Sequence, residues 1–453
     1  MEVKTIQPPE ERYWTVPRIS TAFVVSFGKM IQLLCCLGLA PFYPEEAMDR
    51  GNSSIQIGVV FGIYPLVGFI CSPLIGKVLA KGYAPKKILC AGLVTDCFFM
   101  VLFSMLYKIE DSTLFFLGSV LCRGLQSIGV TMSSVTYYGV AAANFPDKMT
   151  LFIPIIETMS GLGVMVGPTI GGILHQLGGF PAPFLTFAGM TFAFLIVTLC
   201  LLPPVRGESF RHTESFEGGA VLSLKAIIAD SRMLVDVSMV FAGFIAISFN
   251  DATLAVLLDR FGLNSAYKGA AFLISALCYS AGALIYGRIG KKMRDVRVIA
   301  IFGGLCLIVA WTFMSPVPIF EFSSSLTLVL ICQALLGTGA GAFYICCYSH
   351  GHYHLTQMNG LPDDYRTYSM LAGIVQSSFF LGSLSGATGG GVLLEYFGYG
   401  WTTLMIVITI FVLTASVSIS VICDKIRPPK PKVEQVELDK VESESHGYIV
   451  NRL

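Results

Sequence analysis

Six ionisable side chains stand inside long apolar runs of this chain: Lys29, Asp96, Arg123, Glu157, Asp236 and Asp251. A charge at membrane depth is costly and faces either a partner or a wet cavity. A carboxylate there can take up a proton or the ammonium of a substrate. A buried cation can counter it, the pair forming in one conformation and breaking in another. Glu157 and Asp251 are therefore the candidate proton and substrate groups, and Lys29 and Arg123 the candidate switching counter-ions. The structural alternative is a fixed ion pair of Arg123 or Lys29 with an acid, holding one conformation together. Lys29 constrains the ligand: a cation lining the site repels a cationic substrate, so it pairs with Glu157 or Asp251, or the substrate is partly anionic. Arg123 and Gln126 lie three apart and share one face of a helix. Asp236 sits at a span edge, and Asp96 reads as a packing group.

Other chemistry is poorly represented. His350, His352 and His354 alternate, a spacing that suits a strand or an extended loop rather than one helix face, and nothing nearby completes a metal set. No phosphate-binding loop or G-x-S-x-G elbow occurs. Neither an enzyme nor a nucleic-acid-binding protein is expected, and no metal.

The elements that must position these groups are set by composition. The 453 residues are 54% hydrophobic and 13% charged, a balance of multi-span membrane proteins rather than soluble ones. A span needs about 20 apolar residues. Twelve runs qualify, over 19–44, 54–79, 87–107, 113–143, 149–174, 182–202, 233–257, 268–287, 297–315, 326–348, 367–394 and 401–423. They divide into an N-terminal tail (1–18), a six-helix bundle (19–202), a polar linker (203–232) with a short helix expected over Leu222–Ile228, a second bundle (233–423) and a disordered tail (424–453). An all-α membrane protein of two six-helix bundles is the expected fold.

Charge fixes the expected orientation. Lys77, Lys81, Lys86 and Lys87 follow span two, and Arg288, Lys291, Lys292, Arg294 and Arg297 follow span eight, against a single Asp295. The first connection instead carries Glu45, Glu46 and Asp49 with only Arg50. The excess of Lys and Arg on even-numbered connections places those loops and both termini in the cytoplasm. Asn52-Ser53-Ser54 then faces outward as a glycosylation acceptor. No cleavable signal peptide is evident, and the cysteines fall within spans, where they read as small packing residues.

Glycines mark the close helix contacts. Gly163, Gly167, Gly171 and Gly172, with Pro168, sit just past Glu157. They recur 219 residues later as Gly382, Gly386, Gly390 and Gly391. Glycines four apart let a second helix approach closely. A repeat of this kind marks carriers that bind substrate between two halves near mid-membrane. In this register Glu157 faces Gln376, so the pseudo-symmetry breaks at the charge.

These residues resemble the major facilitator superfamily across the membrane region. Arg123-x-x-Gln126-x-x-Gly129 is similar to its fourth-span motif, and Gly163-x-x-x-Gly167-Pro168-x-x-Gly171-Gly172 to the fifth-span motif of its antiporters. Ser72-Pro73-Leu74-Ile75-Gly76, the stretch Arg123–Val135 and Asp251-Ala252-Thr253-Leu254 resemble the vesicular amine transporter family. Glu157–Gly163, Asn144–Pro146 and Pro41–Pro44 are most similar to its polyamine branch. Monoamine members carry acids where this chain has Gln32, Tyr344 and Gln376, and a lysine where it has Tyr64; Asp251 retains a family acid. The resemblance implies a proton-coupled antiporter that loads an organic cation, a polyamine or related amine, into secretory or synaptic-type vesicles. The plasma membrane is the alternative site. The cavity would be built mainly from spans one, four, seven and ten, with Gln32, Gln126, Tyr344 and Gln376 as neutral hydrogen-bonding groups. A proton gradient supplies the energy without a cofactor, in a monomer surrounded by lipid. The alternatives are a carrier of an anionic or zwitterionic metabolite, suggested by Lys29, and a transport-inactive receptor or scaffold.

Overall fold

Helix starts are written into the sequence. Ser53 opens one with a capping box, its hydroxyl accepting from Gln56 N while Gln56 accepts from Ser53 N. Asp111, Asp230, Ser325 and Asp364 cap four others through their side chains, satisfying backbone donors that the first turn leaves unpaired. In this computed structural model, residues 14–203 and 230–426 are described, except 264, 294, 315–317 and 319–323. The elements are α1 (Val16–Leu37), α2 (Tyr43–Asp49), α3 (Ser54–Ala80), α4 (Pro85–Met105), α5 (Ser112–Asn144), α6 (Met149–Gly178), α7 (Pro181–Leu201), α8 (Ser231–Asp259), α9 (Ser265–Gly290), α10 (Arg297–Met314), α11 (Leu326–Tyr353), α12 (Tyr365–Leu384) and α13 (Gly390–Ile426). Most of the linker, with its expected short helix, lies outside the described residues, as does the tail from residue 427.

Eleven of the described helices are long and apolar enough to cross a membrane. The last of these, spanning 365–426, is broken at Gly398, whose φ of 76° leaves the helical region. It therefore contributes two crossings, which makes twelve. Gly398 is the repeat partner of Gly179, which has φ 67° and separates α6 from α7. A side chain strains such a backbone, and glycine does not.

The outward faces of the helices are apolar, and the buried faces mix apolar with polar residues. In α7, Thr191 and Thr198 are buried while Phe192, Ile196 and Leu199 are exposed. That arrangement suits a hydrocarbon surround, where no hydrophobic force drives helices together and small-residue packing does instead. The glycine ladder supplies it. A Cβ on Gly163, Gly167 or Gly171 would strike the α1 carbonyl oxygens of Met30 or Leu34, or that of Gly38 just beyond the helix; at Gly167 the gap is 2.5 Å. The second bundle repeats the crossing, with Gly382 and Gly386 against the Phe241 and Ile245 carbonyls of α8. Met30 and Leu34 correspond to Phe241 and Ile245, each 211 residues on. Likewise Gly92 meets Gly129 where α4 crosses α5, and Gly303 meets Gly339 where α10 crosses α11.

Three expectations are corrected. Span one ends at Leu37, and residues 43–49 form the separate α2, because Pro41 and the turn at 38–42 interrupt the helix. Span ten does not give way to an extended segment at His350. It continues through Tyr353 and a wide turn over His354–Met358. Asp424, expected to open a disordered tail, lies in α13 and pairs with Arg232 and Arg297 at 2.7 Å each. Asn52, the expected glycosylation acceptor, is 6% exposed and donates its amide nitrogen to Ser112. All thirteen cysteines are free.

The far end of the first bundle is held by charge. Glu46 of α2 accepts from Arg50 at 2.5 Å and lies 2.9 Å from His175 of α6, whose ring stacks on Phe42. Burial alone would raise the Glu46 carboxyl, but hydrogen bonds from Arg50 and His175 outweigh it and hold it below its ordinary value of 4.5. A depressed folded value means stability present above pH 4.5 and lost as the pH falls through that range. Glu46→Gln should therefore lower the unfolding midpoint of purified protein by about 1–2 °C at pH 7.5, and the difference should vanish as the pH falls below the depressed carboxyl value. A difference that persists undiminished in acid, or none at pH 7.5, would contradict the assignment.

Candidate substrate and proton site

Glu157 lies eight residues into α6, about 12 Å from its start, and is 4% exposed. Its two oxygens are held from opposite halves of the molecule. Tyr138 of α5 donates to Oε1, and Tyr279 of α9 donates to Oε2 at 2.8 Å. The Tyr344 hydroxyl of α11 stands 3.1 Å from that of Tyr138. Tyr348 stacks on the Tyr138 ring with centroids 5.1 Å apart. Tyr138 and Tyr348 are 210 residues apart, the offset that relates Gly129 to Gly339, so the stacked rings are repeat partners facing across the pseudo-symmetry axis.

Lys29 of α1 approaches the other side of Tyr138. Its ammonium donates to Ser134 Oγ at 2.5 Å and reaches Gln376 Oε1 of α12 at 3.5 Å. It lies 5.6 Å from the Tyr138 ring centroid. Ser134 in turn donates to Gln32 Oε1, and Gln32 donates to the Val130 carbonyl. One connected network thus joins Lys29, Gln32, Ser134, Tyr138 and Glu157 of the first half to Tyr279, Tyr344 and Gln376 of the second. Among the described residues neither Lys29 nor Glu157 forms a direct ion pair; Tyr138 stands between them.

Arg123 and Gln126 belong to a second cluster. Arg123 donates to Gln126 Oε1 at 2.8 Å and lies over the Tyr64 ring at 4.4 Å, and Gln126 donates to Asp96 at 2.9 Å. With Gly129 at the α4 crossing, the whole Arg-x-x-Gln-x-x-Gly run is accounted for inside the first bundle. Asp251 joins neither cluster. It lies on an exposed part of α8 and, among the described residues, makes no ion pair. Span seven instead contributes Phe244, whose ring meets those of Tyr344 and Phe379. The polar network draws on spans one, four, five, eight, ten and eleven, so spans one, four and ten of the expected set supply polar groups to it and span seven supplies the Phe244 ring.

The three histidines each take one acid from another element. His350 pairs with Asp236 at 2.7 Å, His352 with Asp363 at 2.9 Å and His354 with Asp230 at 2.8 Å. These contacts staple the end of α11 to the starts of α8 and α12. Among the described residues no group of three metal-ligating side chains occurs.

Sequence reasoning missed Tyr138, Tyr279, Tyr348 and Ser134. A tyrosine inside a span reads as apolar filler, because its hydroxyl has no spacing signature. Aligning the two halves at the glycine crossings would have exposed the Tyr138–Tyr348 correspondence.

Comparison with known proteins agrees with this architecture. Residues 19–361 match the family model described as Major Facilitator Superfamily. The mouse protein named MFS-type transporter SLC18B1 is 27% identical over 84% of this chain and 82% of its own length. Its human counterpart is 27% identical over 84% and 81%. The rat synaptic vesicular amine transporter is 23% identical over 87% of this chain and 71% of its own. The crystal structure of the human organic anion transporter MFSD10 (TETRAN) covers 91% of this chain, and the chain all of it, with TM-score 0.69 and 16% identity, a likeness of fold alone. Twelve crossings, repeated glycine contacts and a family match over most of the length make this a multi-pass membrane transporter rather than an enzyme, and the chain belongs to the Major Facilitator Superfamily.

Proposed function

We propose that this carrier is a proton-coupled antiporter that loads an organic cation, a polyamine or related amine, into an acidic vesicle. The observation that carries the reading is Glu157, a buried carboxylate bound by tyrosine hydroxyls from both halves. Neutralising it, by a proton or by a substrate ammonium, weakens its hold on Tyr279 and frees the two halves to part. Proton and amine then compete for one group, which is the requirement for exchange. The relatives named as amine transporters support the substrate class, as do the motifs similar to the polyamine branch. The charge asymmetry of the loops supports cytoplasmic termini.

The test is uptake into acid-loaded proteoliposomes presented with labelled polyamines, monoamines and monocarboxylates. Polyamine uptake that collapses with the proton gradient is the expected result. Amine uptake indifferent to the gradient would remove the antiport claim. Selective carboxylate uptake would favour the second reading, an anion or zwitterion carrier, for which Lys29 is the specific motive.

A further inference from the structure

Lys29 is the residue that the proposed antiport leaves unused. It is 3% exposed at mid-span, and among the described residues no carboxylate lies within ion-pair distance of its ammonium. Its surroundings are nevertheless those of an ammonium site. Two neutral oxygens accept from it, a tyrosine face lies beside it, and that tyrosine's hydroxyl is bonded to the carboxylate of Glu157. Hydroxyl and amide oxygens, an aromatic face and a nearby acid together recognise a primary ammonium.

The arm that delivers this ammonium is also informative. A lysine side chain is four methylenes ending in a primary ammonium, the same group as one end of an unbranched alkyl diamine. We propose that Lys29 is a tethered ammonium that occupies the substrate's cation subsite in the empty carrier, and that the substrate enters by displacing it. The proposal rests on the amine reading above and narrows it to unbranched primary amines. Ser134 accepts from the nitrogen at 2.5 Å, a bond that needs an N–H and so excludes a quaternary ammonium, and Gln376 Oε1 as a second acceptor favours a nitrogen with several N–H groups. Displacement also removes the Lys29 contact to Gln376 on the other half, so that substrate entry loosens the joint between halves. With Lys29 in place its charge balances that of Glu157, and a second cation there is repelled.

The experiment is equilibrium binding of labelled 1,4-diaminobutane to the purified full chain, comparing wild type with Lys29→Met and Lys29→Arg. A subsite vacant about a tenth of the time weakens apparent affinity about tenfold. Lys29→Met should therefore bind the diamine about tenfold more tightly, and Lys29→Arg should stay weak. Wild-type binding with no tightening in Lys29→Met overturns the displacement proposal and leaves the amine reading standing. Binding by neither protein overturns both. Should Lys29→Met not fold, competition on the wild type decides. Butylamine should displace the label and tetramethylammonium should not; equal displacement by the two would sink the proposal.

Discussion

Glu157→Gln is expected to abolish proton-driven uptake while leaving the carrier folded. The amide keeps the size of the carboxylate and can still accept from Tyr279, so the contact between halves persists in weakened form. What it cannot do is exchange a proton or balance a substrate ammonium. Losing one partner of a buried charge pair costs about 3 kcal/mol, a factor of about 10² in affinity. Concentrative amine uptake should fall by about that factor, and the residual flux should no longer respond to lumenal pH. Tyr279→Phe makes the complementary cut: it removes the donor but keeps the acid, so pH-dependent uptake should survive at reduced rate. If Glu157→Gln proteoliposomes still accumulate amine in response to a pH gradient, the carboxylate is not the coupling group.

The second large effect concerns packing. Gly171→Val should prevent accumulation of a monodisperse protein, since any Cβ there collides with the Gly38 carbonyl oxygen and backbone cannot retreat cheaply. Overpacking of this sort costs about 1–3 kcal/mol or more, enough to separate α1 from α6 along its length. The neighbouring Gly172→Ala is the control. Its Cβ would meet only Pro41 side-chain atoms at 3.9 Å, an ordinary contact. Size-exclusion profiles and unfolding midpoints of the two variants should differ sharply. Comparable behaviour would mean that the ladder is not the contact surface of α1.

These two residues also show how far the sequence was legible. The ladder announces itself by spacing, and both halves carry it, so a close helix contact at each ladder follows from pattern alone, while the identity of the partners, α1 and α8, comes from the structure. Glu157 announces itself by cost, because a carboxylate in an apolar run needs a reason. The tyrosines that hold it have neither signal: their rings satisfy an apolar pattern and their hydroxyls matter only once two halves meet. Asp251 is legible only in part. Its position near the outer end of a span gives burial in sequence, but the helix face it occupies is decided by packing against neighbours. Asn52 likewise sits in an acceptor motif, while its burial depends on Ser112 sixty residues away.

One consequence follows from α6 itself. Glu157 stands near one of its ends and His175 near the other, eighteen residues and about 27 Å apart. The first is gripped by the opposite half, the second by Glu46 of the connection beyond α1. One helix, carrying prolines at 154 and 168, therefore runs from the tyrosine-bound carboxylate to the ion-paired connection at the far end of the bundle. Under the proposed exchange, a tilt of α6 at Glu157 is expected to shift α2 as well, so that one carboxylate's occupancy is felt at both ends of the first bundle.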